Sequence, residues 1–519
     1  MIRQLAVLAA VAALIAAPLA LRDRPLRPPE GETRLVIITP HGEDIRREFT
    51  EAFRDWAKRE RSLDVDIDWR TPGGTSEITR FIDDRFRAAF AERFPQHRGQ
   101  LAQFTNPKQA ADAPAEQKAA RADFLASDVG IGTDMLFGGG ELPFRNHADK
   151  GYLVDTGLQK AEPTWFTGDQ PLIPQVVGGE TVYDLTGRYY GACFGVFGIA
   201  YSPDRVAELG LAAPTGWLDL ADPAYRRQIT LTDPVKSGAA ATAFERILQQ
   251  RMAAHADDLA AGWLDGHSLI KRLVANARWV TDSASKPTRD AVRGDAAAGM
   301  AIDFQAKIEA DAAFQAGGTE RLRFVVPVGG TSVSADPIAV FRGAPHAKLA
   351  AEFLHFVLSP DGQRLWSQRR GTPGGPRLIA LRRYPVRRDL TGAAAREFRS
   401  DPDEDPFVIA SGFTYHREWT GKYFLLISAL VKTIAIDPRE ELGVAWDAIS
   451  KAGGPTRVPE AWEQFCWLPV GYNQLAATQE QFDAWKRTDP AKIVQQQRDW
   501  LEAATLHYRL AAAYAEAGR

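Results

Sequence analysis

Two short stretches carry residue types suited to holding a small anion. In PGGTSEI, residues 72–78, Gly73 and Gly74 permit a tight turn whose backbone N–H groups face outward. The hydroxyls of Thr75 and Ser76 add donors, and a helix start follows with its partial positive charge. In DPVKSGAA, residues 233–240, the logic recurs: Lys236 supplies a full charge, and Ser237 with Gly238 opens a helix. Facing loops of this kind would grip one anion from both sides. The same residues also serve as ordinary N-caps, Thr75 or Ser76 in the first loop and Ser237 in the second. Arg70 and Arg80 flank the first loop and suit bidentate contact with a phosphate, although surface arginines are common.

The elements that must position these loops follow from hydrophobic periodicity. Leu35 to Thr39 is a continuous apolar strand, and Ile45, Phe49, Phe53 and Trp56 then recur at spacings of three and four, which predicts an amphipathic helix. LDVDIDWR alternates as a second strand, and Ile78, Phe81, Ile82, Phe86 and Phe90 line one face of a second helix. Residues 95–126, rich in Ala, Gln and charge, read as an inserted helical or partly disordered excursion. DMLFGGG reads as a buried strand running into a glycine turn. Such β-α alternation predicts a parallel or mixed sheet covered by helices, with ligands beyond the carboxyl ends of the strands. The loops TPHGED, which contains His41, TPGGTSE and FGGGE fall there.

A chain of 519 residues exceeds one ordinary core, so two or more lobes are expected. A formal net charge of -3 argues against a general nucleic-acid binder, which needs a basic surplus to neutralise phosphates. Two cysteines, Cys193 and Cys466, exclude a disulfide scaffold and a Cys-rich zinc site, and the sequence leaves their pairing open. No G-x-S-x-G elbow, H-E-x-x-H or P-loop lysine signature is present, which argues against an enzyme. The start, MIRQLAVLAAVAALIAAPLALRDRPLRPP, has the basic, apolar and then Pro-rich order of a bacterial export signal over residues 1–21. Its apolar run is long enough for an uncleaved inner-membrane anchor as well. The bulk of the chain is therefore expected in the periplasm.

WLDLADPAYRRQITLTDPVKSGAAATAF, GDAAAGMAID and DPIAVFRGAPHAKLAAEFLHFVLSPDGQ, together with the early β-loop-α units, resemble the type 2 periplasmic solute-binding proteins of ABC importers. The nearest branch holds ferric-iron, hexose-phosphate, phosphonate and thiamine binders, and the likeness covers roughly residues 33–385. It implies an α/β fold of two lobes, mixed sheets flanked by helices, with a hinge that closes on the ligand. It also implies a first lobe over 33–190 and 326–390, a second over 191–325, and crossing segments near 191–200 and 324–331. Residues 391–519 would form a helical extension packed on the first lobe. Gly329–Ser332 would lend hinge flexibility. The implied function is capture of a small anionic ligand, phosphorylated or phosphonate-type, by a monomer with no cofactor that serves a membrane permease.

The expected ligand set is His41, Gly73, Gly74, Thr75, Ser76, Lys236, Ser237, Gly238 and Asp303. Asp303, at a cleft-facing strand end, suits hydrogen bonds from hydroxyls or an ammonium group; a helix cap or hinge salt bridge is its other use. In the iron-binding members a loop histidine and a glutamate in the next loop bind metal, which transfers to His41 and Glu77, with Asp303 as a third donor. Those members carry adjacent tyrosines where this chain has Asp303 and Phe304, a departure that weakens an iron site. Tyr189 and Tyr190 are the chain's own adjacent pair, placed near the hinge. A sensor that keeps the fold without transport is the remaining alternative.

Overall fold

Leu35, Ile37 and Ile38 are fully buried, and they lie in β1 (Thr33–Ile38), which pairs in parallel with β2 (Val65–Arg70) on one side and β3 (Met135–Phe137) on the other. A strand covered on both faces needs apolar side chains on both, which is why the run does not alternate. Leu35 and Ile37 pack with Ile45, Phe49, Phe53 and Trp56 of the helix Glu43–Arg61; Ile38 packs on the other face with Ile78, Ile82, Phe86 and Phe90 of the helix Thr75–Arg93. The computed structural model describes residues 33–102, 104 and 107–519. Residues 1–21, expected to be a signal or anchor, lie outside them.

The remaining strands are β4 (Leu153–Val154), β5 (Val176–Val177), β6 (Glu180–Thr181), β7 (Tyr190–Tyr201), β8 (Ile229–Thr232), β9 (Ala277–Thr281), β10 (Ala298–Ile302), β11 (Arg323–Val325) and β12 (Val333–Phe341). The main sheet runs β2-β1-β3-β12-β7-β10-β8-β9, with β11 on β7 and β4 on β12; β5 and β6 form a separate hairpin. β7 serves both lobes. Its first half, Tyr190 to Val196, pairs antiparallel with β12, and its second half, Phe197 to Tyr201, pairs with β10 and β11. The fold is thus a two-lobed mixed α/β architecture whose halves share one long strand. Both cysteines are free and buried.

Within residues 95–126, read as an inserted helical or partly disordered excursion, the helix Ala115–Ala126 buries Ala120 and Phe124 in the first-lobe core. One expectation needs correction. Most of the C-terminal helices do not pack on the first lobe; the short helix Pro406–Ser411 does, through Ala410. Leu426, Ile427, Leu430, Leu442, Trp446, Phe465 and Tyr508 share one core with Phe244, Leu248, Leu269 and Leu273 of the second-lobe helices Gly238–Ala254 and Leu259–Asn276. Those two helices present apolar surface on the side away from the sheet, and the extension covers it. The helical run Arg417–Ile436 is long and apolar enough to cross a membrane, yet half of it is buried in this core.

Candidate functional site

Pro337 stands inside a central strand, where it cannot donate to the ladder, and the β12–β7 register slips between Asp336 and Pro337 to accommodate it. A bulge re-aims the neighbouring side chain. Here it turns the Asp336 carboxylate into the loop after β3, where Oδ1 accepts from the backbone N–H of Gly139 (2.6 Å) and Gly140 (3.2 Å), and Oδ2 accepts from Arg383 Nη1 (2.7 Å) and lies 3.1 Å from His41 Nε2. Gly138, Gly139 and Gly140 all have positive φ, and a Cβ on Gly138 would fall 2.5 Å from His41 Nε2, so the turn requires glycine twice over. His41 itself is set by Thr39, whose hydroxyl donates to the Phe137 carbonyl and accepts from the His41 N–H, and by an edge-on contact with the Phe137 ring. Burial works to raise the Asp336 pKa, but Arg383 and then His41 hold it far below the usual carboxylate range.

Arg383 is the bridge to the second lobe. Its guanidinium is buried over the rings of Phe304 and Trp366, and it faces both Asp336 and Asp303, which raise its pKa against the pull of burial. Asp303 begins the helix Asp303–Gly317 and accepts from the N–H groups of Phe304 (2.7 Å) and Val196 (3.3 Å), the latter on the shared strand. Burial pushes Asp303 up to about 6, with Lys307 and Arg383 pulling it back. His41, Asp336, Arg383 and Asp303 thus form one buried polar chain from the first lobe to the second. Cys193 lies beside it, its thiol pushed up by burial and therefore no nucleophile.

A folded pKa above the unfolded one means the native state binds the proton more tightly. The stability linked to Asp303 is therefore greatest below its ordinary value of 3.8 and is lost as pH rises through about 6. Asp303→Asn keeps an acceptor for both N–H groups and removes the buried charge. We expect its stability relative to the parent to improve by roughly 2–3 kcal/mol between pH 4 and pH 7. Urea titrations across that range check this, and a pH-independent difference would overturn it.

The other expected residues are placed as follows. Gly73, at positive φ, and Gly74 form the turn before the helix Thr75–Arg93, whose start has no side-chain cap. Thr75 sits against Gly139, bringing the second and third loops of the first lobe together. Glu77 folds back over Gly73 and Gly74 and pairs with Arg80 at 3.1 Å, while Arg70 pairs with Asp68. Ser237 caps its helix by accepting from the Ala240 N–H (3.3 Å), so that residue takes the plain capping role; Gly238 follows it, and Lys236 is exposed. No hydrogen bond or ion pair joins residues 73–76 to residues 236–238 among the described residues. The metal alternative is not assembled: His41 is turned to Asp336, Glu77 to Arg80 and Asp303 to backbone N–H groups. Among the described residues no group of three or more His, Cys, Asp or Glu side chains is arranged for a metal ion. Tyr189 is structural, its hydroxyl donating to Glu141 at 2.7 Å.

Asp336 and Arg383 were not among the expected residues. For Asp336 a signal existed, since a proline within an apolar strand marks a bulge. Arg383, in LRRYP, carries none, because nothing local distinguishes it from Arg382.

Residues 145–382 match the family model of the bacterial extracellular solute-binding proteins. That match covers just under half of the chain. An uncharacterized protein of Haemophilus influenzae is 28% identical over 185 residues, 35% of this chain and 49% of that protein. The phosphoglycerate transport regulatory protein PgtC of Salmonella typhimurium is 27% identical over 171 residues, 33% of this chain and 38% of its own. The matches thus span about half or less of these relatives' lengths. Among solved structures, the periplasmic binding protein AfuA of Actinobacillus pleuropneumoniae, with exogenous fructose-6-phosphate bound, overlaps 64% of this chain and 81% of its own at 20% identity, with a TM-score of 0.41. So loose an overlap says nothing of this chain's ligand.

Proposed function

We propose that this chain is the extracytoplasmic binding component of an ABC importer, a monomer that captures a small phosphorylated or phosphonate-type anion between its lobes. It hands the ligand to a membrane permease without chemical change, and residues 1–21 export or tether it. The observation that supports the anion is a set of unspent donors at the strand ends. The start of the helix Thr75–Arg93 has no side-chain cap, and the hydroxyls of Thr75 and Ser76 make no hydrogen bond among the described residues. Lys236 makes no ion pair among them either, and a second helix begins beside it at Gly238. The uncapped N-terminus of the helix Thr75–Arg93 attracts a phosphoryl group, and Lys236 adds a full charge beside the Ser237-capped start of the second helix. By contrast, the Gly138 N–H is taken by the Pro337 carbonyl and those of Gly139 and Gly140 by Asp336, which favours 73–76 and 236–238 for the anion. The Salmonella relative named for phosphoglycerate transport regulation is in keeping with such a ligand, since phosphoglycerate is a phosphorylated carboxylate.

A thermal-shift screen of 3-phosphoglycerate, hexose phosphates, alkylphosphonates and inorganic phosphate tests this. At a hundredfold excess over Kd a true ligand adds about 2.7 kcal/mol of apparent stability. The gain should vanish in the triple variant Thr75→Ala, Ser76→Ala, Lys236→Ala. A gain that survives the triple substitution, or no response to any anion, would sink the assignment.

A further inference from the structure

The chain downstream of the second crossing touches both lobes through buried polar contacts at two separate places. The first is centred on Arg246 of the second-lobe helix Gly238–Ala254. Its Nη2 donates to Glu180 of β6 (2.5 Å), its Nη1 to Glu245 (2.5 Å) and its Nε to Ser332 of the crossing segment (2.6 Å), while its guanidinium lies 3.9 Å over the Tyr415 ring. Tyr415 and Thr420 donate their hydroxyls to Glu245, and Gln249, fully buried, exchanges hydrogen bonds with both backbone groups of His416. The same short segment is seated on the first lobe. The Tyr415 N–H donates to the Gly178 carbonyl (2.8 Å), Ala410 joins the first-lobe core, and a Cβ on Gly179 would fall 2.1 Å from the Tyr415 carbonyl oxygen.

The second place is the helix Asp303–Gly317. Arg382 pairs with Asp311 of that helix (2.6 Å) and with Asp401 (2.5 Å). Lys307 of the same helix donates to the Tyr384 hydroxyl (3.0 Å) and pairs with Glu404 and Asp401. Tyr384 is itself part of the first-lobe core.

A hinge between lobes works when the crossing segments alone join them, since only there must φ and ψ change. Here residues 382–420 add two further bridges at different helices of the second lobe, and a rotation that slackens one must strain or break the other. The glycines of the crossing, Gly329 and Gly330, are also restrained, because Trp217 Nε1 donates to the Gly330 carbonyl (2.8 Å) and Gln250 to the Val328 carbonyl (3.2 Å). We infer that residues 382–420 are a strap that holds the two lobes at one angle, so that the cleft takes its ligand without the large closure expected of a two-lobed binding protein. This holds whatever the ligand is.

Interlobe distances in the full-length protein test it without a ligand. Arg87→Cys in the helix Thr75–Arg93 and Arg293→Cys on the second lobe are exposed sites for spin labels, and both native thiols are buried. Pulsed electron spin resonance should give one narrow distance distribution. Adding Gln249→Ala with Arg382→Ala, which leaves the Arg246 ion pairs in place, should broaden it and shift its mean. Should that pair of substitutions prevent folding, Gln249→Ala or Asp401→Asn alone serves, with a smaller broadening. A broad or two-peaked distribution in the strapped protein would overturn the inference, as would an unchanged narrow distribution in folded, strap-weakened variants.

Discussion

Asp336→Ala is expected to lower the unfolding free energy by about 3–5 kcal/mol, the usual cost of removing one partner from a buried ion pair. The carboxylate serves four donors. Its loss leaves the N–H groups of Gly139 and Gly140 unpaired in a turn that only glycine can make, and it strips the buried Arg383 of its nearest anion. Asp303 still faces Arg383, which places the loss toward the lower end of that range. Asp336→Asn, which keeps an acceptor for the glycines but no charge, should fall between parent and alanine variant. Because the folded pKa of Asp336 is depressed, its stabilisation is present above the ordinary carboxylate value and fades only as pH falls below about 4. Denaturant titrations at pH 7 and pH 3 measure both points. A loss below about 1 kcal/mol at pH 7 would mean that the carboxylate does not organise the loop.

Arg246→Met should be as damaging, and its cost should likewise shrink on acidification, here at a higher pH. The substitution keeps the volume of the side chain but leaves Glu180 and Glu245, both almost wholly buried, without a cation. Burial already pushes the Glu180 pKa up, and Arg246 is the largest influence pulling it back. Without the guanidinium Glu180 rises further. A carboxyl whose folded pKa is raised contributes most below its unfolded value and loses that contribution as pH rises. The expected loss is about 3–5 kcal/mol at pH 8, shrinking toward pH 5 as the carboxyl takes up its proton. A loss that grows on acidification, or none at all, would count against the buried triad. Glu180→Gln in the Arg246→Met background should restore part of the stability, which a defect of packing alone would not permit.

Much of the first lobe was legible in the sequence. The strand Thr33–Ile38 and the helices Glu43–Arg61 and Thr75–Arg93 follow from side-chain spacing, since a residue three or four places along a helix faces the same core as its neighbour. The loops that follow the strands were legible for the same reason. The candidate site was legible only in part. His41 and Asp303 lie in the buried polar chain, but the residues that join them, Asp336 and Arg383, are 295 and 80 positions from the ends they serve.

Glu77 shows the same limit from the other side. Its type and place suited a metal ligand in the alternative reading, whereas its carboxylate is turned back over Gly73 and Gly74 and held by Arg80. The choice between partners for a charged side chain is made by what else comes within reach, and sequence spacing speaks only to neighbours within a turn or two.

By itself the sequence determined the alternation of strands and helices, the lobed α/β class and the loops at the strand ends, because these depend on local periodicity and on which faces must be apolar. Tertiary structure alone decided that Asp336 fills the glycine loop, that most of the extension covers the second lobe rather than the first, and that Arg246 and Lys307 tie the lobes together. Those outcomes rest on charges and apolar faces that meet only after the chain has crossed between lobes, and a buried charge takes whichever partner the fold brings to it.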